Sequence, residues 1–292
     1  MTTTPAILER FAAAASVELT PKAVAESEGL AGVLPIGTSV YVTALPAADL
    51  DELVPAACGL RAAGYEPVPH IPARSVADEA ALDRLLGRLA TEAGVVDVLV
   101  IGGSVKHQAG SYSSSLEILE SGLLERHGIL RAGVAGHPEG SPDIAPEAVD
   151  ASIAAKNAFA ERSSIELRLV TQFALAAEPY VEWERRIRAQ GNRLPVIAGI
   201  PGVTSPATLF KYGLTCGIGP SLEILRKQAG GLIKLATTRL WEPDAVAWGI
   251  AAAVADDSQC LFRGLHLFPF GGLSRTAAWL TAQRTEKTAR SA

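Results

Sequence analysis

The stretch Ser16-Val17-Glu18-Leu19, followed by LTPKAVAESEGL over residues 19–30, decides between two fold classes. Its first four residues read as a short buried strand. A doubly wound dinucleotide-binding sheet would carry GxGxxG between its first strand and first helix. This chain has no such fingerprint there, which favours a barrel. The same rhythm then repeats outward. Ser39–Thr43, Glu66–His70, Asp97–Ile101, Arg131–Ala135, Glu166–Gln172, Pro195–Gly199 and Arg263–Phe268 are further apolar runs with the look of strands buried on both faces of a parallel sheet. Between them lie helical patterns, with Pro near the start or Gly just past the end: Ala47–Ala63, Val76–Glu92, Ser113–Arg126, Pro146–Arg162, Glu178–Gln190, and Glu242–Asp256. Thr204–Tyr212 and Ser221–Gln228 read as one helix split around Gly217–Pro220. Strand and helix alternating about eight times predict a (β/α)8 TIM barrel. The predicted organisation is a single TIM-barrel domain over residues 1–292, with a helical extension over 1–15 and extra C-terminal helices.

Composition narrows the function. The chain has 292 residues, 26 basic against 31 acidic, for a net charge of −5, and it has no basic stripe to track a phosphate backbone. Nucleic acid is therefore not an expected partner. At 48% hydrophobic and 20% charged, it has the material for a large core, which excludes a disordered chain. The longest apolar run, near Ala245–Ala255, is too short to span a bilayer, so no membrane role is expected. Glu9 and Arg10 interrupt the apolar N-terminus, which lacks a signal-peptide layout. Cys58, Cys216 and Cys260 lie far apart without a CxxC, so no zinc site or disulfide framework is predicted, and a reducing cytoplasm is the expected compartment. Metal-ligand spacings, a GxSxG elbow and a P-loop are all missing.

In a TIM barrel, chemistry is carried by residues at the C-terminal strand ends. Here those are Glu18, Thr43, His70, Gly102-Gly103-Ser104, His137-Pro138-Glu139-Gly140, Thr171-Gln172, Gly199–Gly202 and Phe268–Gly272. Each has a plain structural reading beside a functional one. Glu18 is either a surface carboxylate or, between Val17 and Leu19, an acid whose pKa is raised by desolvation. His70, in PVPHIP, is either a hydrogen-bonded rim histidine or a ligand contact. Gly102-Gly103 is a tight turn or a place for a ligand to approach the backbone. Gln172 closes an apolar strand, where a buried amide needs partners and suits a polar heterocycle. Tyr112 packs or stacks on a ligand. His107 and His127 are assigned to solvent or capping, and His266 to the core. Ser113-Ser114-Ser115 reads as a helix N-terminus with Glu117 in its first turn, where an anion could also sit. Apolar helix faces such as Trp241–Ala255 permit homo-oligomers.

Five of these motifs, in order, resemble the methylenetetrahydrofolate reductase family. Ser16–Lys22 is similar to its SFEFFPPK, Pro67–His70 to its APH, Gly136–Gly140 to its GYPEGHP, Val170–Phe173 to its ITQFFF, and Gly199–Val203 to its PGIMPI. The order holds from Glu18 to Phe270, and the C-terminal LHLFPFGGLSRTAAWL looks closest to divergent bacterial members. The resemblance implies a (β/α)8 barrel that interconverts 5,10-methylenetetrahydrofolate and 5-methyltetrahydrofolate, with FAD passing hydride between a nicotinamide nucleotide, NAD(P)H, and the folate. It implies Glu18 as general acid and Gln172 as the amide that binds the pterin. Thr43, His70, Ile101, Gly102, Gly103, Ser104, Tyr112 and His137 are the implied flavin positions. Lys156 and Asn157 lie on the helix that, in the family, reaches the FAD diphosphate. Gln172, Thr208, Tyr212 and Phe270 are the implied substrate contacts.

The chain also departs from the family. The LRGD after strand four is here Ile101-Gly102-Gly103-Ser104, which replaces its arginine by Gly102 and its aspartate by Ser104. The tyrosine and histidine of GYPEGHP become His137 and Ser141, a helix glutamine becomes Thr208, and a late arginine becomes Gly272. These losses leave room for a flavin-free reductase with direct hydride transfer from NAD(P)H. They also leave room for an enzyme that oxidises 5-methyltetrahydrofolate and passes electrons to a redox partner protein. A non-catalytic folate- or flavin-binding subunit is the reading from another class.

Overall fold

Short apolar runs, each followed by an amphipathic segment, produce eight parallel strands closed in chain order into a (β/α)8 barrel: β1 (Ser16–Leu19), β2 (Ser39–Val42), β3 (Glu66–Pro72), β4 (Asp97–Ile101), β5 (Arg131–Gly136), β6 (Glu166–Thr171), β7 (Val196–Pro201) and β8 (Phe262–Phe268). The computed structural model describes residues 2–26, 32–46, 48–105, 107–142, 144–216, 218, 221 and 240–290, with the side chains of 215 and 285–290 outside that description. By contact the chain divides into two compact units, residues 16–135 with 154–169, and residues 1–15, 136–153 and 170–292.

In the first unit, β1 to β5 pair in parallel register. Their helices follow local rules. Glu79–Ala93 starts where the Asp78 carboxylate accepts the Ala81 amide at 2.7 Å. It buries Leu82, Leu85, Leu86 and Leu89, one stripe of a 3.6-residue period. The helix predicted over Ala47–Ala63 begins only at Leu53, after a 3₁₀ turn at Leu50–Glu52 whose N-cap is Asp49, while Ala47 lies outside the described residues. The helix predicted over Ser113–Arg126 is two, Ser115–Glu120 and Leu123–Arg126, because Gly122 between them takes a left-handed φ of 72°.

In the second unit, β7 and β8 pair in parallel. The N-terminal helix Thr4–Ala13 buries Ile7, Leu8, Phe11 and Ala12, packing on helices Asp244–Asp256 and Leu273–Arg290. Arg284 fixes this arrangement by donating from Nε and Nη2 to the Ala12 carbonyl at 3.1 and 2.9 Å, where helix carbonyls lack partners. The predicted Thr204–Tyr212 helix is found at Pro206–Cys216. Residues 222–228 of its predicted continuation, and 217, 219 and 220 of the break before it, lie outside the described residues.

Three strand boundaries move functional candidates. β3 runs on through Pro72, so His70 sits inside a strand rather than at its end. β6 stops at Thr171, leaving Gln172 just beyond it, and β7 extends to Pro201, placing Gly199 within it. No described helix is long and apolar enough to cross a membrane.

Candidate functional site

The first unit holds an acid–histidine pair. Parallel register sets Glu18 opposite Tyr41 and Tyr41 opposite Val68. Residues opposite one another share a face, and His70, two residues after Val68, shares it too. Val17 and Leu19 turn the other way into the core. His70 Nε2 consequently stands 3.3 Å from Glu18 Oε2, with side-chain exposures of 6% and 20%. The histidine is enclosed, while the carboxylate keeps part of its surface accessible. The Tyr41 ring meets His70 edge-on, at 6.2 Å between centroids and 84° between planes. Thr43 ties the ends of β1 and β2 together: its amide and hydroxyl both donate to the Leu19 carbonyl, at 2.9 and 3.3 Å.

Tyr41 belongs to a second cluster that the sequence reading missed. Arg168 Nη2 donates to the Tyr41 hydroxyl at 2.7 Å and to Asp97 Oδ1 at 2.9 Å. Arg131 Nε reaches Asp97 Oδ2 at 3.2 Å. Burial pushes the Tyr41 phenol above its ordinary range, the Arg168 charge opposes this, and the negative charges of Asp97 and Glu18 add to it. Burial disfavours the Arg168 cation, but Tyr41 and Asp97 outweigh that and hold its pKa above the usual arginine range. The available signal was an arginine inside the apolar run ELRLVT, where a charge needs a buried partner.

The loop after β4 carries the next group of candidates. Ile101 ends β4 opposite Pro72. Gly102 adjoins open space, with no atom within 4 Å of where a Cβ would stand, whereas Gly103, at a φ of +85°, would put one 3.2 Å from Pro72 Cβ. Ser104 is exposed and Tyr112 half-buried. Burial raises the Tyr112 phenol, and the nearby negative charges of Glu79, Asp78 and Glu117 add to it. The predicted helix start is present: Glu117 accepts from the Ser113 amide and hydroxyl and from the Ser114 amide. Those hydrogen bonds, the Ser113 amide first, hold the Glu117 carboxyl below its usual range. Lys156 is buried on helix Pro146–Arg162, where desolvation lowers its pKa to about 8, and Asn157 beside it is half-buried. His107 is exposed. His127 follows helix Leu123–Arg126 at its C-cap, with Nε2 2.8 Å from Asp83 Oδ1.

The remaining candidates lie in the second unit. The Gln172 amide donates to the Gly136 carbonyl at 2.8 Å, and its own Oε1 accepts the Phe173 amide at 3.0 Å, leaving its side-chain NH₂ directed by neither bond. Half-buried His137 opens the turn that Gly140 closes, donating to its carbonyl at 3.1 Å. Glu139 in that turn accepts from both the amide and the hydroxyl of Ser221, while the Leu175 amide donates to the same hydroxyl at 2.8 Å. Thr208 is engaged as part of a helix start, with Ser205 Oγ accepting its amide at 3.1 Å. Tyr212 stacks on Phe270 at 4.3 Å and 21°, and Phe270 meets Phe173 and Phe268. Phe270 has a positive φ of 47°, unusual for a bulky side chain and a sign of local constraint. His266 is fully buried, as its core assignment predicts, edge-on to Phe268 at 4.8 Å.

No family model matches the chain. Its fold is similar to that of an uncharacterized protein from Clostridium thermocellum that binds two copies of 5-methyl-5,6,7,8-tetrahydrofolic acid. The two are 11% identical, the match covers 97% of this chain and 98% of that one, and the TM-score is 0.56. Dihydropteroate synthase from Thermus thermophilus overlaps less, at 15% identity, 93% of each chain and a TM-score of 0.45. D-psicose 3-epimerase follows at 11% identity, 89% of this chain and 94% of that one, and a TM-score of 0.34. At such identities the likeness is one of fold. Among the described residues, no group of three or more His, Cys, Asp or Glu is arranged to hold a metal ion.

The residues implied for FAD fit it in part. The open backbone side at Gly102 and the exposed Ser104 suit a ligand lying along the β4 loop. Lys156 and His70 are both buried, so neither presents a group at an exposed surface.

Proposed function

We propose that this chain binds a reduced folate and interconverts 5,10-methylenetetrahydrofolate and 5-methyltetrahydrofolate, with Glu18 as the general acid. The observation that carries this reading is Glu18 standing 3.3 Å from His70, with the histidine buried and the carboxylate partly exposed. Such a carboxyl can give a proton to a ring nitrogen of the bound folate, which opens the five-membered methylene bridge to an electrophilic iminium. His70, 3.3 Å behind it, limits where the carboxyl can turn. General-acid help of this kind is worth roughly 10²–10⁴ in rate. Gln172 is the proposed amide partner of the pterin, and Tyr212 and Phe270 are the proposed aromatic contacts. The folate-binding neighbour of the same fold supports the choice of ligand class. FAD, when bound, would supply the hydride; Gly102, Gly103 and Ser104 are the residues suited to hold it.

A second reading is favoured by the burial of His70 and Lys156: hydride would come directly from NAD(P)H, without flavin. The absorption spectrum of the purified protein separates the two, yellow for the first and colourless for the second. Glu18→Gln tests both. It is expected to bind 5-methyltetrahydrofolate as the parent does while losing about 10²–10⁴ of the folate turnover rate. Full turnover in that variant would remove Glu18 from the mechanism.

A further inference from the structure

Arg74 stands just past β3, in the turn Ala73–Ser75, and it knits that turn to the loop after β4. Its amide donates to the Gly102 carbonyl at 3.0 Å and its carbonyl accepts the Ala109 amide at 2.8 Å. Its side chain spans the loop: Nε donates to the Ser113 carbonyl at 3.1 Å and Nη1 to the Gly103 carbonyl at 3.4 Å. Both acceptors are neutral, so neither balances the charge. No carboxylate among the described residues forms an ion pair with Arg74, although Arg61, Arg88, Arg126, Arg131 and Arg162 on this unit's surface each have one. A guanidinium has five N–H donors, of which the two carbonyls use two. None of its nitrogens is buried without a partner, so Nη2, which makes neither of these bonds, faces accessible space. Gly102, whose carbonyl accepts the Arg74 amide, adjoins open volume where a side chain would stand. A full positive charge, a rigid fork held by its loop bonds, and a side-chain-free stretch of backbone at two strand ends together suit a planar or tetrahedral oxyanion.

We infer that Arg74 and the Gly102–Ser104 turn form an oxyanion-binding site, which takes the phosphate or carboxylate end of the ligand engaged by this unit. The inference rests on the proposed function only for the identity of that ligand. The shared chemistry is a bidentate oxyanion. It has two sources here: the diphosphate of a dinucleotide, or the glutamate carboxylates of a folate.

Calorimetric titration of the full chain with inorganic pyrophosphate tests the site itself. The parent is expected to bind it, Arg74→Gln at least tenfold more weakly, and Arg74→Lys in between. Because Arg74→Gln also cuts the loop bonds, Gly102→Asp is the second variant. It places a negative charge in the open space without removing any bond of Arg74, and it is expected to lose binding to the same degree. Paired probes then identify the source. If the anion is a diphosphate, Arg74→Gln weakens FAD at least tenfold and leaves riboflavin unchanged. If it is a carboxylate, the variant weakens 5-methyltetrahydrofolate and leaves 6-methyltetrahydropterin, which lacks the glutamate tail, unchanged. Pyrophosphate binding that is absent from the parent, or equal in parent and variants, would overturn the inference. So would equal weakening of full and truncated ligands, which would make Arg74 a loop fastener alone. Arg74-dependent pyrophosphate binding in a protein that takes up no folate would leave the site standing and refute the proposed function instead.

Discussion

Replacing Asp97 by alanine strands a cation. Arg168 and Asp97 are 15% and 12% exposed at their side chains and meet at 2.9 Å, so water screens them little. Removing one member of a buried pair costs about 3–5 kcal/mol, because the other charge is left desolvated and unpaired. The Tyr41 hydroxyl, at 2.7 Å from the same Nη2, remains as a neutral acceptor and holds the loss toward the lower end. Arg131 adds little: it is 42% exposed, and a pair of that kind is worth about 0–1 kcal/mol. At roughly 2–4 °C per kcal/mol for chains of comparable size, the melting temperature should fall by about 6–20 °C. Urea unfolding at pH 7 gives the free energy directly, as a lower midpoint at unchanged slope. The double variant Asp97→Ala/Arg168→Met carries no stranded charge and should recover most of the loss. A single-variant loss below about 1 kcal/mol, or a double variant no more stable than the single one, would refute the reasoning.

Two further outcomes follow from buried polar groups. Lys156 has a pKa of about 8 in the folded chain against 10.5 ordinarily, so the folded state holds this proton less tightly. Below pH 8 the buried charge therefore costs about 3 kcal/mol, and stability should rise as pH climbs from 8 to 10.5. Lys156→Met should raise the urea midpoint at pH 7 and abolish that rise, and parallel pH profiles for parent and variant would contradict the burial. The Tyr180 hydroxyl donates to the Gly199 carbonyl and accepts the Ala174 amide, both at 2.6 Å. Tyr180→Phe leaves that amide without an acceptor, at a cost of about 1–3 kcal/mol. Hydrogen exchange should accelerate at Ala174, and an unchanged rate there would mean the bond is not made.

The barrel was legible because its signals are local. Apolar runs that end in polar or glycine residues give the strands. Asp78 marks one helix start by itself, and Ser114 with Glu117 marks another. Glu18 was legible as a strand-end acid for the same reason, since Val17 and Leu19 beside it turn into the core. Boundaries were less so. Apolar Ile71 and Pro72 continue β3 past His70, and a strand stops where its neighbour's register stops, which a single run of residues does not encode.

By itself the sequence determined the element order, the alternation that makes a barrel, and the choice of Glu18 and Gln172 as candidates, because each depends on residues within a few positions of one another. Only the tertiary structure decided that His70 backs Glu18, that Arg74 fastens the β4 loop, and that Arg168 meets Asp97 and Tyr41, 71 and 127 positions away in the chain. Those partners are set by strand register and by which residues of each strand share a face. Alternation reveals that a charge is turned inward, but the charge it meets depends on how distant strands are brought side by side.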